Sequence, residues 1–293
     1  MIFSIIVPFL NEEKYIGECA ASLTGQDFPK DKYEIIFIDN GSTDDSPNIV
    51  GKFDNIRLLR ENKRNVYTAR NRGINAARGD IIAFTDADCI VAGDWLSRIY
   101  DVMKEPDIFV ALGNVSFNCG RFSVLRLFED CQNARADYMM RVMTKRKYYG
   151  YTNNMAVRAD VFKRFGPMAE WPVPGDTEII QRCVMNDRSC RILYFDRMKA
   201  HHLEVQDIVT WLKKAFFYGK HNVLIKRKTL TMLETFRIYR HCFARNGYRN
   251  RKKIIFTIFM TIGDVFYIAG MAMGVLEFLL IRRYKRHDGR IRC

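Results

Sequence analysis

The chain has 293 residues, 48% of them hydrophobic and 27% charged, which suits one large domain or a domain with an appendage and excludes an intrinsically disordered chain. The formal net charge of +14 is concentrated late: residues 201–293 hold 19 Lys and Arg against 6 Asp and Glu, while residues 1–200 are near balance. A neutral body with a basic tail is not the footprint of a nucleic-acid-binding enzyme, so no nucleic-acid partner is expected; it suits a tail lying against anionic lipid headgroups.

Residues 4–8 read as a short apolar strand, followed by the polar break Asn11-Glu12-Glu13. Residues 12–24 then carry Tyr15, Ile16, Cys19, Ala20 and Leu23 at helical spacing. Residues 34–39 predict a second buried strand ending on the Asp39 carboxylate, and residues 40–44 a turn into another helix. A third strand is expected over 55–59, an Ala-rich helix over 66–78, and a fourth strand over 81–85 that runs into Asp86-Ala87-Asp88. Continuous apolar strands separated by helices predict an α/β fold, a mostly parallel sheet with helices on both faces. Such sheets bind ligands beyond the carboxyl ends of their strands. Three polar clusters, at residues 8–11, 39–40 and 86–88, share that edge.

The middle is less regular. A helix is expected over 122–147, a strand over 151–157, a helix over 174–186 opened by Gly175-Asp176, and a strand over 191–195. Residues 207–228 form a basic amphipathic stretch with Ile208, Trp211, Leu212, Phe216, Phe217 and Leu224; it reads either as an interfacial membrane helix or as a helix packed on the catalytic body. Residues 254–281 form an apolar run, interrupted by Asp264 and Glu277, that exceeds the about 20 residues a bilayer crossing needs. Basic residues stand on both sides of it: Arg245, Arg249, Arg251, Lys252 and Lys253 before, then Arg282, Arg283, Lys285, Arg286, Arg290 and Arg292. A single crossing puts one of these clusters outside, against the positive-inside tendency. A tilted span, an interfacial or re-entrant element and a soluble core helix all remain open. The expected organisation is a catalytic domain at 1–204, a basic amphipathic helical region at 205–250 and an apolar membrane-associated helix with basic flanks at 251–293. The eight cysteines form no CxxC pair, and no secretory signal peptide precedes the first strand, so reduced thiols in a cytosolic compartment are expected.

Asp86 and Asp88, two residues apart after a strand end, can both reach one hard cation. Mg²⁺ and Mn²⁺ prefer such oxygen ligands and bridge carboxylates to substrate phosphates. The pair alone also fits a solvated turn. Its neighbours sharpen the reading. Ser4-Ile5-Ile6-Val7-Pro8-Phe9-Leu10-Asn11-Glu12, Ile38-Asp39-Asn40-Gly41-Ser42-Thr43-Asp44, and Ala69-Arg70-Asn71-Arg72-Gly73-Ile74 with Phe84-Thr85-Asp86-Ala87-Asp88 resemble, in order and spacing, the signatures of the inverting family-two glycosyltransferases of GT-A fold. The resemblance is dense over residues 3–90 and thins to short motifs out to about residue 220.

The resemblance implies a nucleotide-sugar donor, with Asp39 on the base, most often uracil, and Pro8 and Glu12 shaping the same pocket. It places Arg70 against the nucleotide and its phosphates, Asp86 at the ribose or donor sugar, and Asp88 on a divalent cation, Mn²⁺ or Mg²⁺. Pro174-Gly175-Asp176-Thr177-Glu178 with Arg182 resembles the family's acidic base motif; the usual Glu-Asp pair here reads Gly175-Asp176, and Asp176 is the implied general base. Of His201-His202, His202 fits the family position near the diphosphate or the metal. Asn154 matches a stretch near donor sugar and acceptor, although holding backbone groups at a strand start fits it equally. Asp39 and Asp176 also read as helix or turn caps, and Arg70 as a surface helix residue. The implied acceptor is a glycan or a polyprenyl-linked lipid at the cytoplasmic face of a cell membrane, with membrane lipids as a further partner. A soluble acceptor, or a relative that binds nucleotide sugar without turnover, keeps the same site.

Overall fold

β1 (Phe3–Phe9) is buried at every residue, as befits a strand covered on both faces and flanked on both sides. It lies between β2 (Tyr33–Asp39) and β4 (Ile81–Phe84) and runs parallel to both, and β3 (Ile56–Arg60) adds in parallel to β2. Beyond β4 antiparallel pairs enter the sheet. β7 (Met155–Arg158) is antiparallel to β4 and to β6 (Ile108–Phe117); β6 is parallel to β8 (Arg191–His202), and β5 (Cys89–Val91) pairs antiparallel with the end of β8. The order is β3-β2-β1-β4-β7-β6-β8-β5. The parallel half is the one the sequence predicts, and the antiparallel pairings of β7 and β5 make the sheet mixed. The computed structural model describes residues 2–117, 125–170, 174–204, 207–222 and 230–287.

Strand alternation sends Phe3, Ile5 and Val7 to one face and Ile6 to the other. The first face packs on α1 (Ile16–Thr24) and α4 (Trp95–Met103) through Ile16, Leu23, Trp95 and Ile99, with α2 (Ser46–Val50) alongside. The second packs on α3 (Val66–Ala76), α6 (Ala159–Phe165) and α7 (Gly175–Asn186) through Tyr67, Ala69, Val161, Ile179 and Ile180.

A third core joins the end of β6 to four helices: α5 (Leu125–Val142), α8 (Ile208–Asn222), α9 (Met232–Arg245) and α10 (Asn250–His287). Trp211 of α8 stacks on Phe259 of α10 with ring centroids 4.4 Å apart. A Cβ on Gly219 or Gly270 would stand 2.0 Å from the carbonyl oxygen of Tyr267 or Phe216, so α8 and α10 meet at backbone contact. This core runs across the sequence boundaries at 204 and 250.

Several expected elements have different limits. The helix of 122–147 is α5, ending at Val142; residues 151–157 are a 3-10 turn (Thr152–Asn154) followed by β7; and the strand of 191–195 continues to His202. The end of the amphipathic stretch, including Leu224, lies outside the described residues, as do Cys119, Arg290, Arg292 and Cys293. The reading of every cysteine as a free thiol is corrected by a disulfide between Cys183 and Cys190. Their Cα atoms are 6.4 Å apart, within bridging range. Cys19, Cys89, Cys131 and Cys242 are free and buried.

Candidate active site

The site is built at the carboxyl edge of β1, β2 and β4. The β1–β4 ladder stops at Ile6, so Pro8, which has no N–H to give, interrupts no pairing on that side. Beyond it Asn11 takes a left-handed conformation, φ 57°. Its side-chain oxygen accepts from the Thr43 amide at 2.8 Å, while its own amide donates to the Ser42 hydroxyl at 3.1 Å. The Glu12 amide donates to the Ser46 hydroxyl at 2.8 Å. The loops after β1 and β2 are thereby locked together. Asp39, buried at the end of β2, accepts from the Gly41 and Ser42 amides through Oδ1 at 3.1 and 2.7 Å. That is its turn-capping role. Its Oδ2 lies 4.0 Å from the Arg60 Nε.

α3 starts on Asn65, whose side chain accepts from the Tyr67 and Thr68 amides. This start directs Tyr67 and Arg70 inward rather than to the surface. The Arg70 guanidinium lies over the Tyr67 ring at 5.3 Å and donates to Asp86 Oδ1 at 2.8 Å. Its Nε is buried with no hydrogen-bond partner. The Tyr67 hydroxyl donates to Asp176 Oδ1 at 3.3 Å, and the Thr177 amide donates to the same oxygen at 2.7 Å. Burial pushes the Asp176 carboxyl above the usual carboxylate range, against the opposing pull of Arg70 and the Thr177 amide. Gly175, where the family carries an acid, has a local cause. A Cβ there would meet the Ala169 carbonyl at 2.4 Å and the Tyr67 ring at 2.9 Å, so a side chain would dislodge the tyrosine that holds Asp176.

β5 against β8 brings the remaining parts together, because Cys89 pairs with His202. His202 Nε2 stands 3.4 Å from Asp88 Oδ2, and both residues are buried. Burial and the Lys214 ammonium depress the His202 imidazole to about 4, so at neutral pH it is an uncharged donor of lone pairs. Burial and the neighbouring Asp86 raise the Asp88 carboxyl well above its ordinary value. Burial, then Asp88, Glu204 and Asp86, raise Glu12 to about 7.

These residues fit a divalent cation. His202 Nδ1 is buried with no partner, and Asp88, Cys89 and His202 place their ligand atoms within 4.8 Å of one another. Within that trio the carboxylate and imidazole suit Mn²⁺ or Mg²⁺ better than a thiol does, and burial holds the Cys89 thiol protonated. His201 is turned away, with Nδ1 at 2.9 Å from the Ser116 hydroxyl.

One expected residue does not belong to the site. Asn154 is completely buried. Its amide nitrogen donates to the Asn114 and Met198 carbonyls at 2.7 and 2.9 Å, and its oxygen accepts from the Trp95 indole at 2.9 Å. With those partners satisfied and no accessible surface it cannot meet a donor sugar. It ties β6, β8 and α4 together beneath the site. Three residues that the sequence did not single out do belong. Tyr67 positions Asp176. Lys214 of α8 and Glu204 form an ion pair beside the acidic cluster. Burial alone would lower Lys214, but the bond to Glu204 outweighs it and the ammonium stays above its ordinary value. A lysine in a basic stretch carries no signal of this; only the return of α8 over the sheet edge reveals it.

A polar cluster at the carboxyl edge of the sheet, an Asp-x-Asp pair and a buried carboxylate on a helix start are parts found in sugar-nucleotide-dependent transferases. The chain belongs to glycosyl transferase family 2, whose model matches residues 4–166, more than half of the sequence. It is 31% identical over 177 residues to the glycosyltransferase AglE of Haloferax volcanii, covering 59% of this chain and 57% of that one. It is 37% identical over 122 residues to the dolichyl N-acetyl-α-D-glucosaminyl phosphate 3-β-D-2,3-diacetamido-2,3-dideoxy-β-D-glucuronosyltransferase of Methanococcus voltae, covering 38% of each. The chain thus spans about half or less of these relatives' own length. Two solved structures share the fold: the mannosyltransferase PcManGT of Pyrobaculum calidifontis with GDP-Man and Mn²⁺ (TM-score 0.64, 17% identity, 94% of this chain and 87% of that one), and S. aureus TarS 1–349 with UDP-GlcNAc (TM-score 0.57, 16% identity, 98% and 92%). The fold is therefore GT-A.

Proposed function

We propose that this chain transfers a sugar from a nucleoside-diphosphate donor, a UDP-sugar by family resemblance, to an acceptor presented at a membrane, with inversion, in the synthesis of cell-envelope glycan or glycolipid. One observation carries the reading. Two sets of contacts, joined by the Asp86-Ala87-Asp88 turn, run from the base candidate to the metal candidates: Asp176 to Tyr67, Tyr67 to Arg70 and Arg70 to Asp86 on one side, and Asp88 to His202 on the other. The Asp39 Oδ2, which faces Arg60, and the loops around Pro8 and Glu12 receive the nucleoside. Arg70 steers Asp86 towards ribose and donor sugar, and Lys214 adds positive charge for the diphosphate. For a hydroxyl acceptor, Asp176 takes the proton as the oxygen attacks the anomeric carbon, and the raised basicity of a buried carboxylate suits that role. Tyr67 and the Thr177 amide fix the direction of the receiving oxygen. A single displacement inverts the anomeric centre without a sugar–enzyme intermediate. A divalent cation held by Asp88 and His202 supplies charge neutralisation for the departing diphosphate. The acceptor, a glycan or a polyprenyl lipid, fits a protein whose apolar helix seats it at the cytoplasmic face of a membrane. The name of the Methanococcus relative, a dolichyl-phosphate-sugar transferase, supports that class of acceptor.

Calorimetric titration with UDP, GDP and dTDP, with and without Mn²⁺, tests the reading together with a nucleotide-release assay. Mn²⁺-dependent binding of one nucleotide is expected, weakened about 10–100-fold or more in Asp88→Ala. Asp176→Asn should bind as the parent does while turnover falls by about 10²–10⁴. A folded parent that binds none of the three sinks the proposal.

A further inference from the structure

α10 has two unlike sides. Between Ile254 and Leu276 its buried positions, Phe256, Phe259, Met260, Gly263 and Gly270 among them, recur at helical spacing and face α5, α8 and α9. Every exposed position in that stretch is apolar except Thr261, whose hydroxyl turns back to the Thr257 carbonyl at 2.8 Å. Ile254, Ile258, Val265 and Ile268 are 57–62% exposed. The one acid there, Asp264, faces inward and accepts from the Tyr239 hydroxyl at 2.6 Å. The result is an apolar strip roughly 33 Å long, more than a soluble monomer ordinarily shows to water. The start of α9 adds Met232 and Leu233, 84% and 63% exposed.

Within Asn250–Leu276 an 18-residue window has a mean hydropathy of 1.9, and the helix is long and apolar enough to cross a bilayer by length and composition. Its packing argues for a different placement. A crossing helix leaves its domain, whereas α10 is docked along this whole length. Phe256 packs on Tyr239 and Tyr248 near its start, Phe259 on Trp211, and Gly263 and Gly270 on α8. A crossing would drag α8 into hydrocarbon with its exposed Lys213 and the Lys214–Glu204 pair of the donor site. The charge at the ends agrees with the packing. Arg251 and Lys252 are exposed at the start, and Arg282, Arg283, Lys285 and Arg286 follow in the last turns. Both ends therefore favour the same anionic headgroup surface.

We infer that α10 is a monotopic seat: its exposed face lies in the plane of one anionic leaflet, with both ends on the same side of the bilayer. This rests on the reading of a membrane-presented acceptor and specifies its geometry. α8 packs on the other face of α10 and carries Lys214, so the donor site stands one helix layer above the lipid, within reach of an acceptor headgroup.

The test uses the full chain. Arg251→Cys and Arg283→Cys, made singly, are treated with a membrane-impermeant maleimide in intact expressing cells and in inverted membrane vesicles, and labelling is counted above that of the parent. Both positions should react in inverted vesicles and neither in intact cells. One position reacting in each preparation means a crossing helix and overturns the in-plane seat. Flotation of purified protein with phosphatidylcholine vesicles, with and without phosphatidylglycerol, is the second arm. Binding should be several-fold stronger with the anionic lipid and fall at least tenfold in Ile258→Glu and Val265→Glu, which leave nucleotide binding intact. A parent that does not float, and instead forms a dimer that those same substitutions abolish, assigns the strip to a second copy and overturns the proposal. Failure of the transferase reading shows separately, as absent nucleotide binding, which neither labelling nor flotation registers.

Discussion

Glu12 holds a proton near neutrality because three other carboxylates and the protein interior surround it. Its value rises from 4.5 to about 7 in the fold. Between those values the folded chain keeps a proton that the unfolded chain has released, so Glu12 makes stability fall as pH rises through that window. His202 acts oppositely. Depressed from 6.5 to about 4, it stays neutral where the unfolded imidazole takes up a proton, and stability falls as pH drops from 6.5 towards 4. A cation beside Asp88 favours ionised neighbours, so Mn²⁺ affinity should climb severalfold between about pH 5.5 and 7.5. Glu12→Gln should flatten both the climb and the stability loss, read by Mn²⁺ titration and by melting temperature across that range; an unchanged profile would remove Glu12 from the site. Asn154→Ala should act on the fold instead. It strands the Trp95 indole and two carbonyls, at about 1–3 kcal/mol for each buried group left unpaired. Chemical denaturation should show that loss while the folded fraction keeps its nucleotide affinity. The carboxylates Asp39, Asp86, Asp88 and Asp176 were legible in the sequence because each follows a recognisable strand end or helix start. Asn154 was ambiguous there because its partners, Asn114, Met198 and Trp95, come from three distant elements.

The legibility of the elements follows their periodicity. β1, β2 and β4 are short, mostly apolar and bounded by turns, and the sequence placed them within a residue or two. β5 has three residues and no pattern of its own; it exists because it pairs with β8. β8 outlasts its expected end because Asp196 and Arg197 interrupt the apolar run where its pairing with β6 shifts register between Gly113 and Asn114. The close packing of α8 on α10 was unreadable for another reason. The glycines that permit it look, in sequence, like flexible points in an apolar run. Gly270→Ala should show what they do. Its Cβ would lie 2.0 Å from the Phe216 carbonyl oxygen, and backbone cannot yield as a flexible side chain can. A loss of about 1–3 kcal/mol, typical of overpacking, is expected in denaturant unfolding. Nucleotide affinity should drop with it, because α8 carries Lys214. A silent Gly270→Ala would mean that the two helices are less tightly joined than their backbones indicate.

At the scale of the whole molecule, the proposed membrane seat α10 and the helix α8 that carries Lys214 share a core. From sequence, removing residues 251–293 is expected simply to release the protein from membranes. The third core changes that expectation. Phe256, Phe259 and Met260 of α10 are buried against Trp211, Tyr239 and Tyr248, and Asp264 accepts the Tyr239 hydroxyl. Deleting α10 uncovers α8 and α9 as well as cutting an anchor. The truncated chain should therefore aggregate or lose amide-exchange protection in α8 and α9, while β1, β2 and β4 stay protected by their own two cores. Its nucleotide affinity should weaken because Lys214 is no longer held beside Glu204 and Asp88. Ile258→Glu alters only the exposed strip, and should release the chain from vesicles with exchange protection and nucleotide binding intact. The contrast separates the two duties of one helix. If the truncation is soluble, protected and fully active, α10 is an anchor alone and the third core does not support the site.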